Sequence, residues 1–187
     1  MPVRTFLALP LDETILQDLV RAQQTLSSAG ASVRWTGPAN LHLTVKFLGD
    51  VKDADLAEVC RIAGDAASQV EPFEFSVTGL VSAPPAGRMR MVWAGVVEAT
   101  GRLQRLQGML EDAYAALGFK KENRAFHPHL TVGRVKSGEN VARLRAAVDE
   151  LAGEEFGVQP VEELIVFSSK LTPSGPIYSP LETARLG

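Results

Sequence analysis

The sequence is short of the residues that mark several protein classes. It holds one cysteine, Cys60, which excludes an intramolecular disulfide and fits a reducing compartment. Cys60 falls in an Ala/Val/Leu-rich helical pattern and is expected in core packing. No apolar run reaches the length of a membrane span. A secretory leader is not expected either, because the apolar run Phe6 to Leu9 that follows Arg4 is cut by Pro10 and Asp12. The expected location is therefore cytoplasmic, with no membrane partner. The chain also lacks a basic excess: its net charge of −3 and pI near 5.7 argue against a sequence-blind nucleic-acid coat, yet leave room for a local arginine-lined pocket for one phosphate. With 45% hydrophobic and 22% charged residues and a mean hydropathy of +0.04, nothing in the 187 residues suggests disorder. The length suits one compact unit or two small lobes sharing a cleft.

Histidine is scarce as well, with three in the chain, and two of them occupy the same slot of the same phrase. His42-Leu43-Thr44-Val45 and His129-Leu130-Thr131-Val132 each read His, apolar, Thr, apolar, inside runs expected as strands (Leu41 to Leu48 and His129 to Val135). Strand side chains alternate in direction, so His and Thr share one face while Leu and Val point to the other. One face then carries an imidazole beside a hydroxyl, and the other carries hydrocarbon for a core. A lone copy is readily explained as a buried structural pair. Two copies in like contexts point to function, since each buried imidazole needs its own partner. Two such pairs facing each other across a cleft would suit proton-shuttling hydrolysis.

Around these phrases the chain alternates strand and helix. Val3 to Leu9 reads as a strand, followed by a helix from an Asp12 cap to about Ala29, closed by Gly30. Val33 to Thr36 reads as a short strand, with a turn at Gly37-Pro38. Gly49-Asp50 is expected to end the first His strand; Leu56, Val59, Cys60, Ala63 and Ala67 then recur at helical spacing. Phe73 to Val81 alternates as a half-buried strand, Ala83 to Gly87 is loop-like, and Met89 to Val97 is the next strand. A third helix runs from Thr100 to Leu117, a fourth from Asn140 to Leu151, and the extended stretches Phe156 to Gln159, Glu163 to Ser169 and beyond Ile177 close the chain. The fold class is α+β, or mixed α/β. Helix, loop, His phrase, helix and strand pair recur on each side of about residue 95 with no linker between them, so the expectation is a single domain, 1–187, of two pseudo-symmetric lobes.

With both HxTx motifs in place, the chain resembles the two-histidine (2H) phosphoesterase superfamily. It is most similar there to the bacterial and archaeal RNA 2′,3′-cyclic phosphodiesterases, also called 2′-5′ RNA ligases. The resemblance extends to Arg4 to Leu9 (RTFLAL), Arg34-Trp35 with Pro38 to Gly49 (PANLHLTVKFLG), Phe126 to Arg134 (FHPHLTVGR), and Phe167 to Leu171 (FSSKL) with Gly175 and Tyr178. It implies a bilobed fold with a pseudo-two-fold: two concave antiparallel β-sheets, backed by helices, around a central groove lined by one motif from each lobe. It implies a hydrolase, active in RNA processing, that opens a 2′,3′-cyclic phosphate at an RNA 3′ end to a 2′-phosphate without metal or other cofactor. Some members run an ATP-independent 2′-5′ ligation. The implied partner is RNA with a cyclic phosphate end, tRNA fragments among the candidates, and the implied enzyme is a monomer.

Opening a cyclic phosphate needs water to lose a proton while the leaving ribose oxygen gains one, so one imidazole must be neutral and the other protonated. By the family pattern His129 is the general base and His42 the general acid; the reverse direction exchanges the roles. Thr44 and Thr131 are expected to bind the non-bridging phosphate oxygens. Several neighbours keep two readings each. Arg134 stands at an odd offset from His129, so it reaches the phosphate only through a bend near Gly133, and otherwise forms a solvent ion pair. Lys46 shares alternation with His42 and Thr44, which puts it at the groove's edge or in solvent. His127 borders the groove or contacts RNA, or completes a His-x-His metal pair with His129. Phe6, Trp35 and Phe126 either stack on a base or belong to the core. Two rival functions stand beside RNA-end hydrolysis: a phosphodiesterase for small cyclic or 2′-5′-linked nucleotides, and a non-catalytic RNA- or nucleotide-binding module.

Overall fold

The structure, a computed structural model, describes residues 2–187. Its strands are β1 (Val3–Leu9), β2 (Val33–Trp35), β3 (Leu43–Val51), β4 (Phe73–Ala83), β5 (Met91–Val97), β6 (His129–Val135), β7 (Glu155–Val161), β8 (Glu163–Thr172) and β9 (Gly175–Arg185). Its helices are α1 (Glu13–Ser27), α2 (Leu56–Ala67), α3 (Arg102–Ala116) and α4 (Val141–Glu150). Every pairing is antiparallel, in the order β7-β4-β5-β6-β3-β1-β8-β9, with β2 added to β6. The curled antiparallel sheet with helices on its outer face is the mixed α/β class expected, though the two concave sheets join into one through a single pair, Leu43 with Leu130.

Strands exchange about that seam. Outward from it run β3-β1-β8-β9 on one side and β6-β5-β4-β7 on the other. Helices α2 and α3 cover the first set, while α1 and α4 cover the second. Thus β4, made directly after α2, crosses to the far side, and β8, made after α4 and β7, crosses back. The core lies between sheet and helices, where Leu7, Leu9, Leu43, Leu130, Val132 and Val166 are fully buried. Burial of each such side chain contributes about 1.5–3 kcal/mol.

Both His strands carry a β-bulge at the last residue of the motif. Thr44 pairs with Ala8 and Lys46 with Leu7, leaving Val45 unpaired. Thr131 pairs with Trp93 and Gly133 with Val92, leaving Val132 unpaired. One extra residue reverses the alternation beyond it. At the second bulge the Val132 carbonyl is satisfied, as burial demands: it accepts from Thr36 N–H and from the Gln23 side chain of α1, each at 3.0 Å. Gly49 does not end β3 as expected. It sits at φ +77 beside a second bulge, at Leu48, and the strand continues to Val51.

The Val45 bulge corrects the expected place of Lys46. It faces the core beside Leu7, is 5% exposed, and donates to Glu111 Oε2 at 2.7 Å and to the Lys120 carbonyl at 2.9 Å. Glu111 also accepts from Glu122 N–H and from Gln107. Through this buried pair α3 and the loop after it are strapped to β3, directly ahead of the second His phrase. Removing one partner leaves the other charge buried and unpaired. Lys46→Met is expected to cost about 3–5 kcal/mol in urea unfolding, and the double change Lys46→Met with Glu111→Leu to recover most of that loss.

Candidate active site

The Leu43–Leu130 pair sets the positions at the seam. In an antiparallel ladder the residues on either side of it face each other crosswise, His42 opposite Thr131 and Thr44 opposite His129. Both leucines are fully buried, so all four motif side chains occupy the other, concave face. Diagonal neighbours in such a ladder have side chains about 7–8 Å apart. That span suits a phosphate held from both ends by hydrogen bonds of about 2.8 Å.

Each imidazole is anchored in the same way. His42 Nδ1 lies 2.8 Å from the carbonyl of Asn40, and His129 Nδ1 lies 2.8 Å from the carbonyl of His127, in both cases two residues back. A carbonyl only accepts, so each Nδ1 carries its proton and each neutral ring presents a bare Nε2. His42 Nε2 stands 2.9 Å from Thr44 Oγ1, which donates to the neutral ring and accepts from the protonated one. Thr131 lies half-buried on the same face, and among the described residues its hydroxyl has no hydrogen-bond partner.

Burial pushes both imidazoles below their ordinary proton affinity, and the two carbonyl contacts pull partly the other way. His129 is lowered further by the positive charges of His127 and Arg134. Trp93 of β5, which pairs with Thr131, stacks on the His129 ring at 3.9 Å between centroids, 23° apart in plane. The wall beside His42 has another origin. Phe6 lies 4.9 Å from that ring, Tyr178 meets it edge-on at 5.3 Å, and Phe167 completes the cluster against Phe6 at 5.4 Å.

The bulge at Val132 decides the question left open for Arg134. Past it, Arg134 pairs with Met91, which shares a face of β5 with Trp93 and Gly95, the partners of Thr131 and His129. Arg134 therefore projects from the concave face, exposed, with Nη1 3.3 Å from Met91 Sδ. His127 is exposed near His129, and its carbonyl makes the anchoring contact. Among the described residues no group of three His, Cys, Asp or Glu side chains comes together as a metal site.

The aromatic candidates are corrected. Phe6 is on the concave face but 4% exposed, covered by His42, Phe167 and Tyr178, so it offers no free ring to a base. Trp35 pairs with Gly133 and packs toward the core; a Cβ on Gly133 would come within 2.7 Å of its ring. Phe126 also packs against the core. The aromatic residues that do touch the imidazoles include Trp93 and Tyr178, which sequence reasoning does not single out for this role. Trp93 alternates in register with Met91 and Gly95, a signal readable only once β5 is known to border β6.

The family model described as LigT-like phosphoesterase matches the chain twice, over residues 9–93 and 95–178. The RNA 2′,3′-cyclic phosphodiesterase of Methanothermobacter thermautotrophicus is 41% identical over 186 residues, covering 100% of both chains. The enzyme of the same name from Archaeoglobus fulgidus is 36% identical over 180 residues, 96% of this chain and 98% of the relative. Among solved structures, TT0787 of Thermus thermophilus superposes with a TM-score of 0.82 at 28% identity, covering 98% of this chain and 97% of that one. Escherichia coli LigT complexed with 3′-AMP superposes with a TM-score of 0.82 at 25% identity, covering 100% and 99%.

The proton affinities can be read directly. In an NMR titration of the free protein, the His42 and His129 ring signals are expected to move with midpoints below the ordinary value of about 6.5. Inorganic phosphate is expected to raise at least one of them, because an anion between the rings favours the charged form.

Proposed function

The chain belongs to the LigT-like phosphoesterases, and on that premise we propose that it hydrolyses the 2′,3′-cyclic phosphate at an RNA 3′ end by proton transfer between His129, His42 and substrate. The protein is an RNA 2′,3′-cyclic phosphodiesterase. The observation that carries the reading is the matched anchoring of the two rings, each Nδ1–H held by a carbonyl two residues back, which leaves both Nε2 atoms for chemistry on one face.

In the forward step His129 Nε2 removes a proton from water as the water oxygen bonds to phosphorus. The bond from phosphorus to O3′ breaks, and O3′ takes the proton from His42 Nε2, leaving a 2′-phosphate and a free 3′-hydroxyl. Proton exchange with solvent resets the rings. The environments favour this assignment: His129 has Arg134 and His127 nearby to hold it neutral, whereas His42 is lowered by burial and not by a neighbouring cation. Thr44 and Thr131 bind the non-bridging oxygens, and Arg134 adds charge beside them. A 5′-hydroxyl in the place of water would undergo the same step and form a 2′-5′ phosphodiester, so ligation requires no additional residue.

The chain is read as one catalytic domain of two pseudo-symmetric halves, acting as a cytoplasmic monomer on RNA ends such as tRNA fragments. Both halves of the groove come from one chain. No helix among the described residues is long and apolar enough to cross a membrane.

His42→Ala and His129→Ala are each expected to lower kcat on a cyclic-phosphate RNA end by about 10²–10⁴-fold with little change in the melting curve; full activity in either variant would refute the mechanism. EDTA is expected to leave the rate unchanged. With both rings lowered in the free protein, kcat/KM should follow a bell-shaped pH profile whose maximum falls on the acid side of about 6.5. The kcat maximum should lie at higher pH, since the bound phosphate raises the acid's proton affinity. A kcat/KM that climbs steadily above neutrality would contradict this arrangement.

A further inference from the structure

Three arginines stand on the concave face: Arg4 on β1, Arg34 on β2 and Arg134 on β6. Arg34 pairs directly with Arg134 across β2 and β6. Arg4 lies over the Phe47 ring at 4.6 Å. All three are exposed, and among the described residues none of them is ion-paired with a carboxylate. Asp50 stands opposite Arg4 in the ladder without closing such a pair. Burial raises the proton affinity of the Tyr178 hydroxyl, and the charges of Arg134, Arg4 and Arg34 all act on it in the opposite direction.

The Arg34 guanidinium, though exposed, lies against the backbone of another strand pair. The tip of the β8–β9 hairpin is tied to the turn that follows β2, where Asn40 Nδ2 donates to the Pro176 carbonyl at 3.0 Å. There Gly175, at φ +133, leaves room for the guanidinium: a Cβ at that position would fall 2.7 Å from Arg34 Nη2. The guanidinium thus reaches the hairpin tip, while its backbone stands opposite Arg134 on the same edge of β6 that β3 borders at Leu130.

Like charges brought together without counter-charge repel, and the chain as a whole is acidic. The cyclic phosphate of a mononucleotide brings one negative charge, and the protonated His42 and Arg134 are by themselves enough to offset it. Among the described residues Arg34 then has no carboxylate in contact with it, and Arg4 has only its ladder neighbour Asp50. A nucleic-acid end brings a second negative charge at the linkage to the preceding nucleotide, and a planar guanidinium is suited to receive it.

Resting on the function proposed above, we infer that Arg34, supported by Arg4, forms a second phosphate subsite that takes the internucleotide phosphodiester next to the reacting cyclic phosphate. The groove therefore selects an oligonucleotide end over a mononucleotide.

The test compares a nucleoside 2′,3′-cyclic phosphate with a dinucleotide ending in the same cyclic nucleoside. The wild-type protein is expected to favour the dinucleotide in kcat/KM by about tenfold or more. Its rate on the dinucleotide should fall more steeply with salt, by a slope difference of about 0.7 for one additional phosphate contact. Arg34→Gln should lower kcat/KM for the dinucleotide about tenfold more than for the mononucleotide, mainly through KM, and Arg34→Lys should retain part of the preference. Equal losses on both substrates, or no loss on either, would overturn the subsite. So would a wild-type protein that hydrolyses the mononucleotide as well as the dinucleotide with equal salt slopes, a comparison that needs no variant. Failure of the wild type on both substrates would instead overturn the phosphodiesterase reading, and this inference with it.

Discussion

Leu43 and Leu130 are fully buried and directly paired, and among the described residues they make the only register contact between β3 and β6. A shift of one residue there would turn every side chain of one motif to the opposite face. The cost of exposing a leucine to the concave side and burying an imidazole in the core holds the register. Motif geometry and hydrophobic packing are thus the same constraint seen from two faces of the sheet. The two strands diverge immediately beyond the contact, with β2 taking up the free edge of β6. That divergence opens the groove while leaving the four motif side chains grouped at its floor.

The bulges at Val45 and Val132 add a second layer. A strand with strict alternation would send the second residue after each Thr, Lys46 or Gly133, to the concave face. The additional residue buries Lys46 beside Leu7 instead, where its charge is neutralised by Glu111, and it swings Arg134 into the groove. The valines at the two bulges keep the core filled, being 4% and 0% exposed. Gln23 and Thr36 satisfy the carbonyl of Val132 that the bulge takes out of the ladder. A distortion of the sheet is in this way stabilised by its own hydrogen bonds and packing, and it converts one periodic strand into two faces of different chemistry.

The parts legible in the sequence are those that depend on local period and rarity. Two histidines in one repeated phrase mark the strands and faces of His42, Thr44, His129 and Thr131, and alternation with helical spacing is enough for the mixed class and most element positions. What escapes is set by partners distant in the chain. Val45 and Val132 look like ordinary alternating residues, so nothing local announces a bulge; Lys46 is misplaced for that reason and Arg134 is left with two readings. Gly49 resembles a strand end until its left-handed backbone and the pairing with Thr5 are seen. Aromatic character alone does not say which face Phe6 or Trp35 occupies, nor that Trp93, Phe167 and Tyr178 gather around the rings, because each depends on which strand lies alongside.

The two halves share a backbone plan yet differ in what surrounds their rings. In the ladders flanking the seam, Ala8 on β1 stands where Trp93 stands on β5, opposite the motif threonine, and Phe47 stands where Arg134 does. One imidazole is therefore enclosed by Phe6 and Tyr178 with no cation acting on it from its own strand. The other is capped by an indole and lies near a guanidinium. Equal anchoring of Nδ1 makes both rings competent for proton transfer, whereas a hydrolysis with a separate acid and base requires their proton affinities to differ once substrate is bound. A cation beside His129 opposes its protonation in the free groove, and on the proposed assignment a phosphate anion drawn toward His42 would favour the charged ring there. In the proposed hydrolysis the duplicated scaffold would supply the pair of proton carriers, and the differences at equivalent ladder positions would divide their labour.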